Sequence, residues 1–188
     1  MLKTRIALKE QVICGMFVAL IAVGAFIKIP IPVVPFTLQF LFTMLAGLLL
    51  GGKLGAICVF CYIVLGLIGL PIFSEGGGVY YIFKPSFGYI IGFGIATYVT
   101  GQIANKVSNP SIPRLLCANF TGLCIVYAVG MAYYYGISNY VINNPIGTRA
   151  LFLYCFVLAV PGDIALCILS AFVAKRVLPY TDQVIRKD

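Results

Sequence analysis

The run Leu115-Leu-Cys-Ala-Asn-Phe-Thr-Gly-Leu-Cys-Ile-Val-Tyr-Ala-Val-Gly-Met-Ala-Tyr-Tyr-Tyr-Gly-Ile-Ser-Asn-Tyr140, with its continuation to Thr148, contains no charged side chain. A helix needs about 20 apolar residues to cross the hydrocarbon core of a bilayer, so this run holds one crossing and an external loop. The runs 11–27, 29–52, 54–74 and 85–105 are equally free of charge, and together these stretches occupy most of the 188 residues. Composition agrees, with 62% of residues hydrophobic and 10% charged and a mean hydropathy of +1.06, against roughly 25% charged residues in soluble domains. The chain reads as an all-α integral membrane protein.

Glycine and proline punctuate the apolar runs: Pro30, Pro32 and Pro35, then Gly51-Gly52, Pro71, Pro85, Pro110 with Pro113, and Asn143-Asn144-Pro145. They predict one domain over 1–188 with six transmembrane helices near 8–28, 35–51, 54–70, 86–106, 113–136 and 150–177. The basic stretch Met1 to Lys9 ahead of the first apolar run has the look of a secretory leader. The run passes into Ile29-Pro-Ile-Pro-Val-Val-Pro35 without a small-residue cleavage site, so a retained first helix is expected.

Lys3, Arg5, Lys9, Lys53, Lys106, Arg114, Lys175, Arg176, Arg186 and Lys187 fall on one side of this arrangement, and Lys28, Lys84 and Arg149 on the other. Ten of 13 cations on one side place both termini in the cytoplasm, because Lys and Arg accumulate there. The loops 29–34, 71–85 and 137–149 then face outward. The same distribution explains the net charge of +8 without nucleic acid, which needs basic residues clustered on a soluble face. A lipid bilayer accounts for it.

Seven cysteines lie in apolar segments, where Cys behaves as a small hydrophobe. Cys58 and Cys61 form a C-x-x-C, but the chain has no His and no second pair at metal-site spacing, so no metal or other cofactor is expected. No P-loop is present for nucleotide hydrolysis, and no acid and base constellation for an intramembrane enzyme. The chain is expected not to be an enzyme. A pump usually carries a chain of intramembrane acids, and here only Asp163 is deep.

Asp163 stands within Val160-Pro-Gly-Asp-Ile-Ala-Leu-Cys-Ile-Leu169. A carboxylate at mid-helix costs about 2.5–3.5 kcal/mol on insertion scales, so it must face a partner or a wet cavity. A ligand contact and a structural hydrogen bond inside the bundle both meet that need. Thr37 and Gln39, one turn into the second span, suit either an interhelical bond or a ligand pocket. The loop Pro71 to Pro85 combines Gly76, Gly77 and Gly78 with Glu75 and Lys84, and reads as a lid, a re-entrant loop or a flexible connector. Gly15 and Ala19, four apart, give the first helix a flat face for a close helix partner, in this chain or in another subunit.

Four segments carry a resemblance to a known family: Ile31-Pro-Val-Val-Pro-Phe-Thr-Leu-Gln39, Tyr62-Ile-Val-Leu-Gly-Leu-Ile-Gly-Leu-Pro-Ile-Phe73 with Gly76 to Gly78, Pro85-Ser-Phe-Gly-Tyr-Ile-Ile-Gly-Phe93, and Pro161-Gly-Asp163. Over nearly its whole length the chain resembles the BioY family, the biotin-specific substrate-binding (S) components of energy-coupling factor transporters. The resemblance implies a multi-pass bacterial cell-membrane protein that captures external biotin with high affinity. It further implies partners, namely a transmembrane coupling subunit, docked on the helix face of Gly15 and Ala19, and two ATPase subunits that power inward release.

By the same resemblance Asp163 accepts hydrogen bonds from the ureido N–H groups of biotin, a sound pairing of acceptor with donors. Tyr89 is expected to contact the bicyclic ring, with Gln39 and Thr37 nearby, and Gly76, Gly77 and Gly78 to supply a moving cover; Lys84, near the outer mouth, is the candidate to pair with the valerate carboxylate. The family often has Lys three residues after the Asp, where this chain has Leu166. That departure removes a cation from the site and leaves room for another vitamin. A self-sufficient transporter driven by a proton at Asp163 is the alternative from a different class.

Overall fold

The computed structural model describes residues 8–29 and 35–185. The apolar runs fold as helices α1 (Leu8–Phe26), α2 (Gln39–Leu50), α3 (Gly52–Leu67), α4 (Phe87–Ala104), α5 (Ile112–Tyr140), α6 (Thr148–Phe152) and α7 (Val160–Ile185). Between α1 and α2 the strands β1 (Lys28–Ile29) and β2 (Phe36–Thr37) pair antiparallel, Lys28 opposite Thr37 and Ile29 opposite Phe36. A 3-10 helix covers Val79–Phe83, and a π turn over Leu153–Val157 joins α6 to α7. Counting α6, the π turn and α7 as one rod gives six helical segments.

Four of these, α1, α4, α5 and the rod from Thr148 to Thr181, are long and apolar enough to cross a membrane. The other two, α2 with 12 residues and α3 with 16, are shorter than the expected spans 35–51 and 54–70. At about 1.5 Å per residue, α2 covers only about 18 Å. Its missing outer part is Pro35–Leu38, strand and turn rather than helix. Irregular backbone is tolerated at membrane depth where it lines a cavity, and Pro35, Phe36 and Thr37 line the cavity described below.

One residue separates α2 from α3. Gly51 has φ +84°, a left-handed conformation open to glycine, and reverses the chain there. α4 closes on this turn: a Cβ at Gly47 would lie 2.6 Å from the Thr97 carbonyl oxygen, and one at Gly101 would lie 2.6 Å from the Gly47 carbonyl oxygen. Small residues thus let three backbones approach, as is usual between membrane helices.

The rod departs from the single helix expected over 150–177. Pro161 has no N–H to give the carbonyl four residues back, so a continuous α-helix is broken ahead of it. The chain answers with the π turn, in which the Leu158 amide donates to the Leu153 carbonyl, and α7 restarts with Pro161 in its first turn. Asp163 therefore lies at a helix start rather than at mid-helix. α5 runs four residues beyond its expected end at 136, to Tyr140.

Two large cores and a small cluster of Tyr134, Leu151 and Cys155 fill the bundle among the described residues. Toward the β-hairpin end an aromatic core includes Phe40, Tyr62, Phe73, Tyr81, Phe87 and Tyr127. Toward the other end Leu48, Leu115, Ala118, Ala171 and Ala174 form a small-residue core. Lys9, Lys53, Lys106, Arg114, Lys175 and Arg176 gather at that second end, where Lys175 Nζ donates to Asn109 Oδ1 at 2.6 Å. Lys28, Lys84 and Arg149 lie at the first. Lys3, Arg5, Arg186 and Lys187, and the loop residues 30–34, lie outside the described residues.

Candidate functional site

Asp163 opens α7 and meets α5: Tyr127 Oη donates to its Oδ2 at 2.5 Å. No described residue donates to Oδ1. Tyr127 is held by its neighbours, edge-on to Tyr89 of α4 (centroids 6.1 Å apart, planes at 90°) and to Phe156 of the π turn (5.2 Å, 75°). The Tyr89 ring lies against Gly130 of α5, where a Cβ would come within 2.6 Å of it. Its hydroxyl is buried and, among the described residues, has no hydrogen-bond partner.

These residues wall a cleft at the hairpin end, with about 620 Å³ of empty space including its mouth. Phe36 of β2 closes one side, packed on Gly162, where a Cβ would lie 2.7 Å from the ring. Phe40, Phe93 and Val126 supply apolar floor. Among the described residues, the cleft lining contains one carboxylate and no Lys or Arg. Apolar walls with a few placed polar groups are the usual make-up of a small-molecule site.

A hydrogen-bond relay fixes the second wall. Thr37 Oγ1 donates to Gln39 Oε1 (3.2 Å), Gln39 Nε2 to Tyr62 Oη (2.7 Å), and Tyr62 Oη to the Ile72 carbonyl (2.9 Å). Gln39 is 3% exposed, so an unpaired amide there would be costly. The relay meets both readings of Thr37 and Gln39: it ties β2, α2, α3 and the loop after α3 together, and both residues line the cleft.

At the mouth, Ser74 Oγ and Tyr81 Oη lie 3.2 Å apart, and Ser86 Oγ donates to Tyr81 Oη at 3.3 Å. Lys28 Nζ reaches across from β1 to the Ser74 carbonyl at 2.8 Å. Tyr133 Oη donates to the Ile82 carbonyl and holds the 3-10 helix against α5.

Lys84 does not line the cleft itself, but its ammonium lies over the ring of the lining residue Tyr81, 5.2 Å from the centroid, and pairs with Glu75 at 3.0 Å, both side chains about two-fifths exposed (41% and 43%). Gly76, Gly77 and Gly78 also lie outside it. Phe73 and Gly76 exchange backbone hydrogen bonds around a tight turn, and the Gly78 amide donates to the Gly66 carbonyl at 2.7 Å. Gly76 and Gly78 have φ of +113° and +101°, conformations that favour glycine. The glycine loop is thus a folded turn on the end of α3. Leu166, one turn past Asp163, is 8% exposed within the aromatic core.

Gly15 and Ala19 are exposed on α1, and no atom lies within 4 Å of where a Gly15 Cβ would be. Beside them Cys14 and Val18 of α1 with Ile57, Cys61 and Leu65 of α3 line an apolar groove. No cluster of three metal-ligating side chains occurs among the described residues. The cleft-lining residues that sequence reasoning missed are Tyr127, Ser74, Tyr81 and Ser86, with Lys28 beside them on the Ser74 carbonyl. In the sequence they are ordinary residues of apolar segments and loops, and only the fold brings them to the cleft.

Residues 2–183 match the model of the BioY family. A relative from Lysinibacillus sphaericus, described as a probable biotin transporter BioY, is 46% identical over 174 residues, covering 90% of this chain and 89% of its own. The biotin transporter BioY of Rhodobacter capsulatus is 32% identical over 181 residues, covering 92% and 94%. Among solved structures, the S-component for biotin from an ECF-type ABC transporter superposes with a TM-score of 0.77 at 27% identity, over 94% of each chain.

Proposed function

The chain belongs to the BioY family, and from that premise we propose that it is the biotin-binding S component of an energy-coupling factor transporter, a multi-pass protein of the cell membrane that does no catalysis of its own. The observation that carries the reading is the pair Tyr127–Asp163 at the wall of an aromatic cleft. Biotin offers two ureido N–H donors beside an apolar bicycle. The Oδ1 atom of Asp163 accepts from the ureido group, with Tyr127 fixing the carboxylate through Oδ2. Charge-assisted hydrogen bonds of this type contribute about 1.5–3 kcal/mol each.

The unpartnered Tyr89 hydroxyl donates to the ureido oxygen while its ring covers the bicycle. That donor takes the place of the cation the chain lacks at Leu166. Thr37 and Gln39 hold the opposite wall in register. Gly76, Gly77 and Gly78 set the shape of the turn that carries Ser74 to the mouth.

The basic end of the bundle faces the cytoplasm, so the cleft opens outward and collects external ligand. A transmembrane coupling subunit docks on α1 at Gly15 and Ala19, where the backbone is open to a close helix neighbour. Two ATPase subunits bound to that subunit supply the energy for inward release.

Uptake of radiolabelled biotin by cells without their own biotin transporter tests the reading. Uptake is expected when the chain is produced with a coupling subunit and its ATPases, and to stop when the ATPases are inactivated. Uptake that survives ATPase loss but ends with the proton gradient would replace the reading with a proton-driven carrier. Binding of a different vitamin would redirect it to another S component.

A further inference from the structure

The inference below rests on the biotin reading and concerns the other end of the ligand. Biotin is a monocarboxylate, and a carboxylate leaving water needs a cation and hydrogen-bond donors. The cleft lining supplies an acid and no Lys or Arg, so the tail must find its cation at the mouth. Lys28, Lys84 and Arg149 lie at that end of the bundle. All three are exposed or partly exposed; Lys84 lies over the Tyr81 ring but is already paired with Glu75 at 3.0 Å, and Arg149, in the first turn of α6, makes no hydrogen bond to a cleft residue among the described residues.

Lys28 is placed differently. Its strand pairing sets it opposite Thr37, beside the cleft wall. Its ammonium is anchored on the carbonyl of Ser74, a cleft residue, at 2.8 Å. No described carboxylate pairs with it. An ammonium has three N–H donors, and the Ser74 carbonyl takes one.

The hydroxyls of Ser74, Tyr81 and Ser86 all line the cleft. They hold three protons between them and make two contacts with one another, at 3.2 and 3.3 Å. One proton therefore remains for an acceptor outside the cluster. Ser74 and Tyr81 are 8% and 3% exposed, so bulk water offers that acceptor poorly. A carboxylate at the mouth satisfies both the remaining hydroxyl proton and the ammonium.

We propose that Lys28, with the hydroxyl cluster of Ser74, Tyr81 and Ser86, forms the subsite for the ligand's carboxylate, and that Lys28 selects the free acid over its amide. The ligand then lies with its ring at Asp163 and its tail at the hairpin. Because Lys28 joins β1 to the Ser74 turn, the bound carboxylate also bridges the two loops over the mouth.

Competition binding of biotin against biotinamide, whose tail is uncharged, tests this on the detergent-purified chain. The wild type is expected to prefer biotin by about tenfold or more. Lys28→Met should lower biotin affinity to that of the amide and leave amide affinity unchanged, and Lys28→Arg should keep the preference. A preference that survives Lys28→Met would overturn the subsite. So would an equal loss for acid and amide, which would mark Lys28 as a structural tether, or loss of the preference on Lys84→Met instead. Failure of the folded wild type to bind either compound would remove the biotin reading itself.

Discussion

At Asp163 a single hydroxyl decides how a carboxylate is tolerated among apolar helices. Tyr127→Phe removes that hydroxyl and little volume, leaving Oδ2 without its 2.5 Å donor. We predict about tenfold weaker biotin binding in this variant, measured by titration, with helix content by circular dichroism unchanged. Tyr89→Phe is a different case, because the Tyr89 hydroxyl has no partner among the described residues and is the group proposed to meet the ligand. Its thermal midpoint should match wild type while biotin binding weakens severalfold. Tyr62→Phe should do the reverse of Tyr89→Phe in stability, since it cuts the relay from Gln39 to the Ile72 carbonyl and costs about 1–2 kcal/mol. Asp163 was legible in the sequence because a lone acid in an apolar stretch demands an explanation. Its partner was not, since Tyr127 is one of 12 tyrosines, 36 positions away, and nothing local joins them.

Helix existence could be read from runs without charge, whereas helix ends depended on contacts that no local pattern records. The start of α2 is the example: Pro35–Leu38 is apolar enough to extend a span, yet it folds as strand and turn over the cleft. The break in the rod has a local cause, for Pro161 cannot donate to the carbonyl four residues back and the structure places a π turn just before it. π turns recur at functional sites because they re-aim the residues that follow. At the α4–α5 contact, Gly130 leaves the space that the Tyr89 ring occupies. Gly130→Val should drive that ring into the cleft and abolish detectable biotin binding, while the protein remains folded by circular dichroism. Gly101→Val, placed where α2, α3 and α4 converge, should instead lower thermal stability by about 1–3 kcal/mol or more, because backbone cannot yield as a side-chain tip can. The contrast separates a glycine that shapes the site from one that holds the bundle.

Over the whole molecule, most of the described cations gather at the end opposite the cleft, with Lys28, Lys84 and Arg149 at the cleft end, and that polarity underlies the proposed orientation. The outward orientation predicts that Glu75→Cys, in a background with the seven native cysteines replaced, is labelled in intact cells by a membrane-impermeant maleimide. The basic residues give that proposed orientation, and apolar helical segments were legible from runs without charge, because the bilayer imposes that pattern on any chain that crosses it. The carboxylate subsite was not, because Lys28 and the Ser74 turn are 46 residues apart and meet only at the mouth. The central claim is that the cleft binds biotin through Asp163, and calorimetric titration of biotin into the detergent-purified wild type and Asp163→Asn tests it most directly. The account predicts saturable binding at one site in the wild type and a loss of about tenfold to 100-fold in the variant; equal affinity in both proteins would contradict it.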